Sequence, residues 1–136
     1  MPLKLVNAAK IDWLDVLRVQ RLGNLTARLY KNNHTPADAD TSANYTVANF
    51  DGYSEIDMGG WTAAILAANH ALSQATPLVW ICTGAGTPND VYGWFVVVRG
   101  TNDLVWAERF TAAPLPMNQA GDQITVNPVI TDASEF

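Results

Sequence analysis

The chain has 136 residues, of which 49% are apolar and only 15% are charged, against about 25% charged residues in an average domain. Its net charge of −5 and its scattered basic residues argue against nucleic-acid binding, which requires a basic surface. The sequence contains no run of eighteen apolar residues, so it predicts no membrane span. Few charges and five tryptophans favour a domain that buries part of its surface against other chains. We therefore expect a homo-oligomer that binds neither nucleic acid nor membrane.

The chain begins with residues 1–6, which predict an extended arm. Such arms become ordered when they meet a partner surface, and Leu3 and Leu5 offer apolar side chains for that contact. The segment has no long apolar core and no cleavage-site pattern, so it does not predict a signal peptide.

A single helix is predicted over residues 8–22, between Asn7 as N-cap and Gly23 just past the C-terminus. Its apolar residues, among them Trp13 and Leu17, spread around most of the circumference. A surface helix normally shows one apolar stripe. The pattern therefore fits a helix contacted by its own sheet and by a neighbour, or equally one that lies in a groove of its own domain.

The rest of the chain predicts about seven strands separated by turn-forming residues. They are Leu25–Lys31, Tyr53–Met58, Thr62–Ala67, Pro77–Thr83, Val91–Val98, Leu104–Phe110 and Ile124–Thr131. Pro128 cannot donate a ladder hydrogen bond, so the last strand is predicted at an edge or with a bulge. A short helical turn is expected near Tyr45–Phe50. Residues 7–136 together predict one mainly β domain, an antiparallel β-sandwich or jelly-roll-like fold with one N-terminal helix.

The hairpin Val91–Phe110 carries the strongest strand signal, and its first strand is apolar on both faces. One face fills the sandwich, whereas the other carries Phe95 and Val97. A strand in a two-layer sandwich needs only one apolar face. We expect the second face to be closed by the helix or by a neighbouring subunit.

Four side chains of the central loops could be interpreted as a metal site: His34, Asp38, Asp40 and Asp51. Their spacing fits neither a calcium loop nor a zinc motif. A solvated acidic loop is the favoured interpretation, and we expect no metal.

Other arrangements of catalytic residue types are equally weak. His70 with Ser73 or Ser54 lacks a nucleophile elbow, and Gly84–Thr87 lacks the lysine of a phosphate loop. Paired carboxylates for glycoside hydrolysis would come from Glu55, Asp57 and Glu108. The aromatic residues of the strands favour core or subunit interface over a sugar platform: Trp80, Tyr92, Trp94, Trp106 and Phe110. We expect no catalytic residue, no cofactor and no enzymatic activity.

Several segments together resemble a family of small, uncharacterised structural proteins of tailed bacteriophages. The matching motifs are a strand and loop ending in N-N-x-T-P, a Phe-x-Gly-Tyr turn, a Y-G-[YW]-F-V strand, a W-A-E-R-F strand and a G-D-x-I-x-V-x-P strand. They fall at Leu25–Pro36, Phe50–Tyr53, Tyr92–Val96, Trp106–Phe110 and Gly121–Pro128. The resemblance covers nearly the whole chain except Trp61–Leu72, and it implies a virion protein with no catalytic residues to transfer.

From this resemblance we expect a capsid decoration or cement protein that is assembled in the host cytoplasm and located in the virion. It would form a small oligomer, a trimer being favoured, and bind the major capsid protein or another virion protein. The residues predicted at partner interfaces are Leu3, Leu5, Trp13, Leu17, Phe95 and Val97. The alternative is a tail or baseplate component that binds the host surface, with a glycan as one candidate receptor, through exposed Tyr45 or Tyr53.

Overall fold

The computed structural model describes residues 11, 22–67 and 70–131. Eleven strands lie in this part of the chain, and they form antiparallel sheets. They are β1 (Leu25–Tyr30), β2 (Ile56–Asp57), β3 (Ile65–Ala67), β4 (His70–Gln74), β5 (Leu78–Ile81), β6 (Asn89–Val91), β7 (Gly93–Val98), β8 (Leu104–Arg109), β9 (Leu115–Met117), β10 (Gln123–Val126) and β11 (Val129–Thr131). With 41% of the structure in strands, the prediction of a mainly β protein is confirmed.

The chain forms two compact units. The larger comprises Asn24–Asp57 and Val79–Thr125, and the smaller comprises Met1–Gly23, Met58–Leu78 and Val126–Phe136. A four-stranded sheet in the order β2-β1-β7-β8 is the main element of the larger unit. The strands β6 and β9 form a separate pair, as do β5 and β10.

The four-stranded sheet is held by the full-length pairing of β1 with β7. Ala27 lies opposite Val96, and Leu29 lies opposite Trp94. All four side chains are buried because these alternate positions share one face of the sheet. The predicted strand Leu25–Lys31 is thus confirmed to within one residue.

The predicted strand Val91–Val98 is interrupted at Tyr92, where β6 ends and β7 begins. Gly93 explains why the chain can pass closely between its neighbours here. A Cβ at this position would collide with the carbonyl oxygen of Glu108 and with the ring of Tyr30. Strand glycines commonly mark such close approaches. The hairpin itself, β7 and β8, is confirmed, with a bulge between Val96 and Val97.

The smaller unit contains a three-stranded sheet in the order β11-β4-β3. The strand prediction for Thr62–Ala67 holds for Ile65–Ala67, and the segment that follows continues as the paired strand β4. The predicted strand Ile124–Thr131 is divided into β10 and β11 at Pro128. Its carbonyl accepts a hydrogen bond from the amide of Ala75. Within the part of the chain that the structure describes, β11 lies at the edge of its sheet, which is one of the two outcomes that the proline predicted.

The predicted arm and almost all of the predicted helix lie outside the described residues. Ile11 and Leu22 are the two residues described there. The backbone of Ile11 is helical, and its side chain packs against Ala64 and Ala71. Leu22 begins a short 3-10 helix, Leu22–Asn24. The short helical turn is found at Ser42–Asn44 rather than at Tyr45–Phe50. The reason is local, because the amide of Thr41 is capped by the side chain of Asn44.

Candidate functional site

The second apolar face of the hairpin is covered by residues 31–50, which we call the covering loop. Its Tyr45 stacks on Phe95 with ring centroids 5.0 Å apart and planes inclined by 21°. The same ring meets Tyr30 edge-on, again at 5.0 Å. Together with Val97, these three side chains form one buried cluster. The covering loop therefore takes the place that we predicted for a helix or a neighbouring subunit.

Hydrogen bonds hold the covering loop in a defined path beside β1. The amide of Lys31 donates to the carbonyl of Thr46 at 2.8 Å. Asn32 extends this pairing, because its side-chain oxygen accepts from the amide of Thr46 and its side-chain nitrogen donates to the carbonyl of Asn44. One asparagine side chain thus joins the two ends of the loop.

Asp40 is the centre of the polar contacts within the loop. Its Oδ2 lies 2.6 Å from Nε2 of His34 and accepts hydrogen bonds from the hydroxyl of Tyr45 at 2.7 Å and from the amide of Ala37 at 3.0 Å. The Asp40 side chain is only 8% exposed. The nearly buried carboxylate is thus satisfied by donors from three positions of the loop.

These contacts perturb the ionisation of both partners. The hydrogen bond from His34, followed by that from Tyr45, lowers the pKa of Asp40 to about 2. Burial, followed by the hydrogen bond to Asp40, raises the pKa of Tyr45 above its ordinary value. At neutral pH the pair is therefore a neutral phenol donating to a carboxylate.

The start of the loop is tied to the sheet through the carbonyl oxygen of His34. It accepts hydrogen bonds from the hydroxyl of Tyr30 at 3.0 Å and from Nη1 of Arg109 at 3.1 Å. The guanidinium of Arg109 also lies over the ring of Tyr92, 5.1 Å from its centroid. The covering loop is thus attached to both β1 and β8.

A cleft of about 360 Å³ runs between the covering loop and β8. From the loop it is lined by Pro36, Ala37, Asp38, Asp40 and Tyr45, and from the strand by Leu104, Val105, Trp106 and Ala107. The lining includes two carboxylates and no lysine or arginine. The cleft can therefore accept a group that is extended and positively charged.

The structure places two of the predicted partner residues in the core. Phe95 and Val97 are each 1% exposed, so they offer no surface to another chain in this structure. The sequence analysis expected Tyr45 on the surface as a host-binding residue; it is instead 5% exposed and belongs to the cluster that buries Phe95 and Val97. It is the one Tyr, Phe or Trp in a long stretch of turn-forming residues, which is the only signal that the sequence offers. The other predicted partner residues lie outside the described residues: Leu3, Leu5, Trp13 and Leu17.

Exposed apolar side chains occur elsewhere, and β5 carries the clearest row. Leu78 and Trp80 are 2% and 3% exposed, whereas Val79 and Ile81 are 42% and 49% exposed. We call Val79 and Ile81 the β5 outer row. The smaller unit also exposes large apolar side chains, namely Ile65, Leu66 and Val129.

The candidate metal loop is not assembled. Asp51 lies apart from Asp40 and accepts a hydrogen bond from the amide of Gly86 at 2.9 Å. The amide that a phosphate loop would offer to its ligand is thus used by a carboxylate of the same chain. Among residues 22–67 and 70–131, no three metal-ligating side chains converge.

The other candidate arrangements are separated or engaged. Asp57 belongs to β2 and Glu108 to β8, at opposite edges of the four-stranded sheet. Ser73 is fully buried, and its hydroxyl donates to the carbonyl of Thr62 at 2.6 Å. Trp80 and Trp94 are buried, which confirms for these two the prediction of core over sugar platform.

Comparisons with protein-family models, with curated proteins and with solved structures found no match. Within the described residues, no helix is long and apolar enough to cross a membrane.

Proposed function

We propose that this protein is a structural virion protein of a tailed bacteriophage, a capsid decoration or cement protein that stabilises the head by protein–protein contacts. The observation that carries the proposal is the β5 outer row. Two adjacent outward positions of one strand hold Val79 and Ile81, both more than two-fifths exposed. Contiguous apolar surface of this kind marks protein–protein contact sites.

The physical argument is the free energy gained when exposed apolar side chains are removed from water. Fully burying a valine or isoleucine side chain is worth about 1.5–3 kcal/mol, and Val79 and Ile81, which are 42% and 49% exposed, gain only part of that within their own chain. When many copies bind one shell, modest contacts of this size combine into strong attachment. A cement protein needs no chemistry beyond this.

Three further features of the proposal agree with the composition and the motif resemblance. The protein acts as a homo-oligomer, a trimer being favoured, and its partner is the major capsid protein or another virion protein. It is assembled in the host cytoplasm and located in the virion. Its strands form a β-sandwich or jelly-roll-like domain with an N-terminal helix. Only 15% of its residues are charged, and few charged residues are typical of the core of a protein–protein interface.

The test adds the purified protein to phage heads that were assembled without it. The wild-type chain is expected to bind the heads and to raise their melting temperature. The double variant Val79→Lys with Ile81→Lys is expected to fold normally and to lose binding, because two charges would enter an apolar contact. Head binding by co-sedimentation and head melting by calorimetry are the two measurements.

Val47→Lys is the matched control, because Val47 is also a partly exposed valine, at 38%, on the covering loop. It should bind heads like the wild type. Equal binding by the β5 double variant would contradict the proposed surface, and a wild-type chain that neither binds nor stabilises heads would contradict the cement function.

Fewer observations support the alternative function, in which a tail or baseplate component binds the host surface. It required Tyr45 or Tyr53 to be exposed. Tyr45 is 5% exposed, and the hydroxyl of the half-buried Tyr53 accepts a hydrogen bond from the amide of Leu29. Burial raises the pKa of Tyr53 to about 12, which agrees with an enclosed side chain.

A further inference from the structure

In the part of the chain that the structure describes, β5 pairs with β10 alone. The amide of Cys82 donates to the carbonyl of Asp122 at 2.8 Å, and the carbonyl of Cys82 accepts from the amide of Gly121 at 2.9 Å. The backbone of Cys82 therefore faces β10. Because hydrogen bonding alternates along an antiparallel pair, the backbone N–H and C=O groups of Val79 and Ile81 face away from β10, toward the outer edge of β5.

Two contacts at the end of β5 agree with this direction of the outer edge. The amide of Thr83, two residues after Ile81, donates to the carbonyl of Asp51 at 2.9 Å. A Cβ atom on Gly52 would lie 3.1 Å from the carbonyl oxygen of Ile81. The turn at Asp51 and Gly52 thus covers one end of the edge, and no strand of the described residues pairs with the remainder. Such an edge is a template for an added strand.

The exposed side chains beside this edge have the spacing that an extended partner segment requires. Val79 and Ile81 lie two residues apart and therefore point to the same face of β5. On β10 the exposed side chains are those of Gln123 and Thr125, and neither is charged. An added strand would pair with the backbone of β5 and place alternate side chains on the β5 outer row. A helix would cover the row but leave the backbone groups of the edge unpaired.

Charge distinguishes a second copy from a different protein as the source of the added strand. The larger unit contains four basic and nine acidic residues, so it carries the whole net charge of −5 of the chain. Two of its basic residues are already in ion pairs, Arg28 with Glu55 and Arg99 with Asp57. A second copy would bring the same negative charge to the contact, whereas a basic segment would be attracted to it.

We propose that a basic, extended segment of the virion protein to which this chain attaches binds along β5 as an added strand. Its backbone pairs with the N–H and C=O groups of Val79 and with the N–H group of Ile81. Its apolar side chains, at every second position, pack on the β5 outer row, and its lysine or arginine residues are attracted by the negative charge of the larger unit. The inference rests on the proposed cement function, because it names the element that the partner supplies.

The first experiment removes one outward N–H group without changing any side chain. Ile81 is replaced by the α-hydroxy acid with the same side chain, so that an ester oxygen takes the place of its amide N–H. Binding to phage heads that were assembled without the protein is measured by co-sedimentation. The Ile81 ester is expected to bind about ten-fold more weakly than the wild type, which is the effect of losing one hydrogen bond.

The matched control carries the same replacement at Thr125 of β10. The carbonyl of Asp122 faces β5, so by the same alternation the amide of Thr125 faces away from β5. Both esters also weaken the preceding carbonyl as an acceptor within the β5–β10 pair, so the two variants share that loss of stability. Their urea midpoints should agree, and the Thr125 ester should bind heads like the wild type.

A second measurement tests the charge of the partner segment. Raising the NaCl concentration from about 50 mM to about 500 mM shortens the range of electrostatic attraction, so wild-type binding to the same heads should weaken several-fold. Binding that is unchanged or strengthened by salt overturns the proposal of a basic segment.

The possible results separate the two proposals. If the wild type binds heads and the Ile81 ester binds equally well, the partner contacts only side chains, and the added strand is overturned while the cement function stands. Equal losses for the Ile81 and Thr125 esters also overturn the added strand. A wild-type chain that does not bind heads contradicts the cement function and the inference with it.

Discussion

The strands β7 and β5 are both apolar on both faces, but only β7 is covered on both within the chain. Phe95 and Val97 on its second face are each 1% exposed, whereas Val79 and Ile81 on the outer face of β5 are 42% and 49% exposed. Two similar sequence patterns thus have two different outcomes. A doubly apolar strand predicts that a cover is favourable, but it does not say which chain provides it.

The difference arises from the neighbouring sequence rather than from the strands. The covering loop has the hydrogen-bonding side chains to form a stable path, with Asp40 joined to His34 and Tyr45 and with Asn32 joining its ends. It can therefore hold the ring of Tyr45 against Phe95 although its one regular element is the short helical turn Ser42–Asn44. The β5 outer row remains available for another chain.

The largest expected effect comes from removing the cover. Tyr45→Ala deletes the ring that stacks on Phe95 and should lower the free energy of unfolding by about 3–5 kcal/mol, the usual range for truncation of a buried aromatic residue. Urea denaturation followed by tryptophan fluorescence measures the loss. Tyr45→Phe keeps the ring and removes only the hydroxyl, so its loss should be clearly smaller. Equal losses would show that the hydrogen bond, not the packing, holds the loop.

The next test compares the two strands by the same truncation. Val97→Ala removes buried methyl groups and should cost about 1.5–2 kcal/mol, whereas Val79→Ala should change stability by no more than about 0.5 kcal/mol. Chemical denaturation of the isolated protein would measure the change in free energy of unfolding for both variants. A large loss for Val79→Ala would mean that its side chain is covered within the same chain or oligomer.

The smallest effect concerns pH and isolates the polar half of the cover. The pKa of Asp40 in the folded protein, about 2, lies below its ordinary value of 3.8. Its carboxylate therefore stabilises the fold fully above about pH 4, and that contribution is lost as the pH falls through about 2. Asp40→Asn should be less stable than the wild type at pH 5, and the difference should shrink toward pH 2.

Asp38→Asn provides the control for this pH series, because it removes an exposed carboxylate from the same loop. Its urea midpoint should follow that of the wild type at every pH. A constant difference between Asp40→Asn and the wild type from pH 5 to pH 2 would contradict the linkage.

Strands with strong local patterns could be predicted from the sequence. The hairpin and the strand at Leu25 were found because β-branched and aromatic residues alternate between recognisable turns. Pro128 cannot donate to a ladder and predicted an edge strand or a bulge; it lies between β10 and β11, and β11 is an edge strand among the described residues. These features depend on residues that are close in sequence.

The covering loop and the β5 outer row could not be predicted, because they depend on contacts between residues that are distant in sequence. Tyr45 lies fifty residues from Phe95, inside a stretch of turn formers with no periodicity, so no local pattern marks it as core. The interruption at Tyr92 depends on the contact of Gly93 with Tyr30 and Glu108, which appears only when three strands are paired. Val79 and Ile81 are exposed because other elements cover only the opposite face of β5, and the sequence of β5 does not indicate which face that is.

The most direct test of the central claim is a density map of the intact phage particle at side-chain resolution. The account predicts that each copy covers Phe95 and Val97 with its own Tyr45 and buries Val79 and Ile81 against another virion protein. A map in which the β5 outer row faces solvent in every copy, or in which a neighbouring chain covers Phe95, would contradict it.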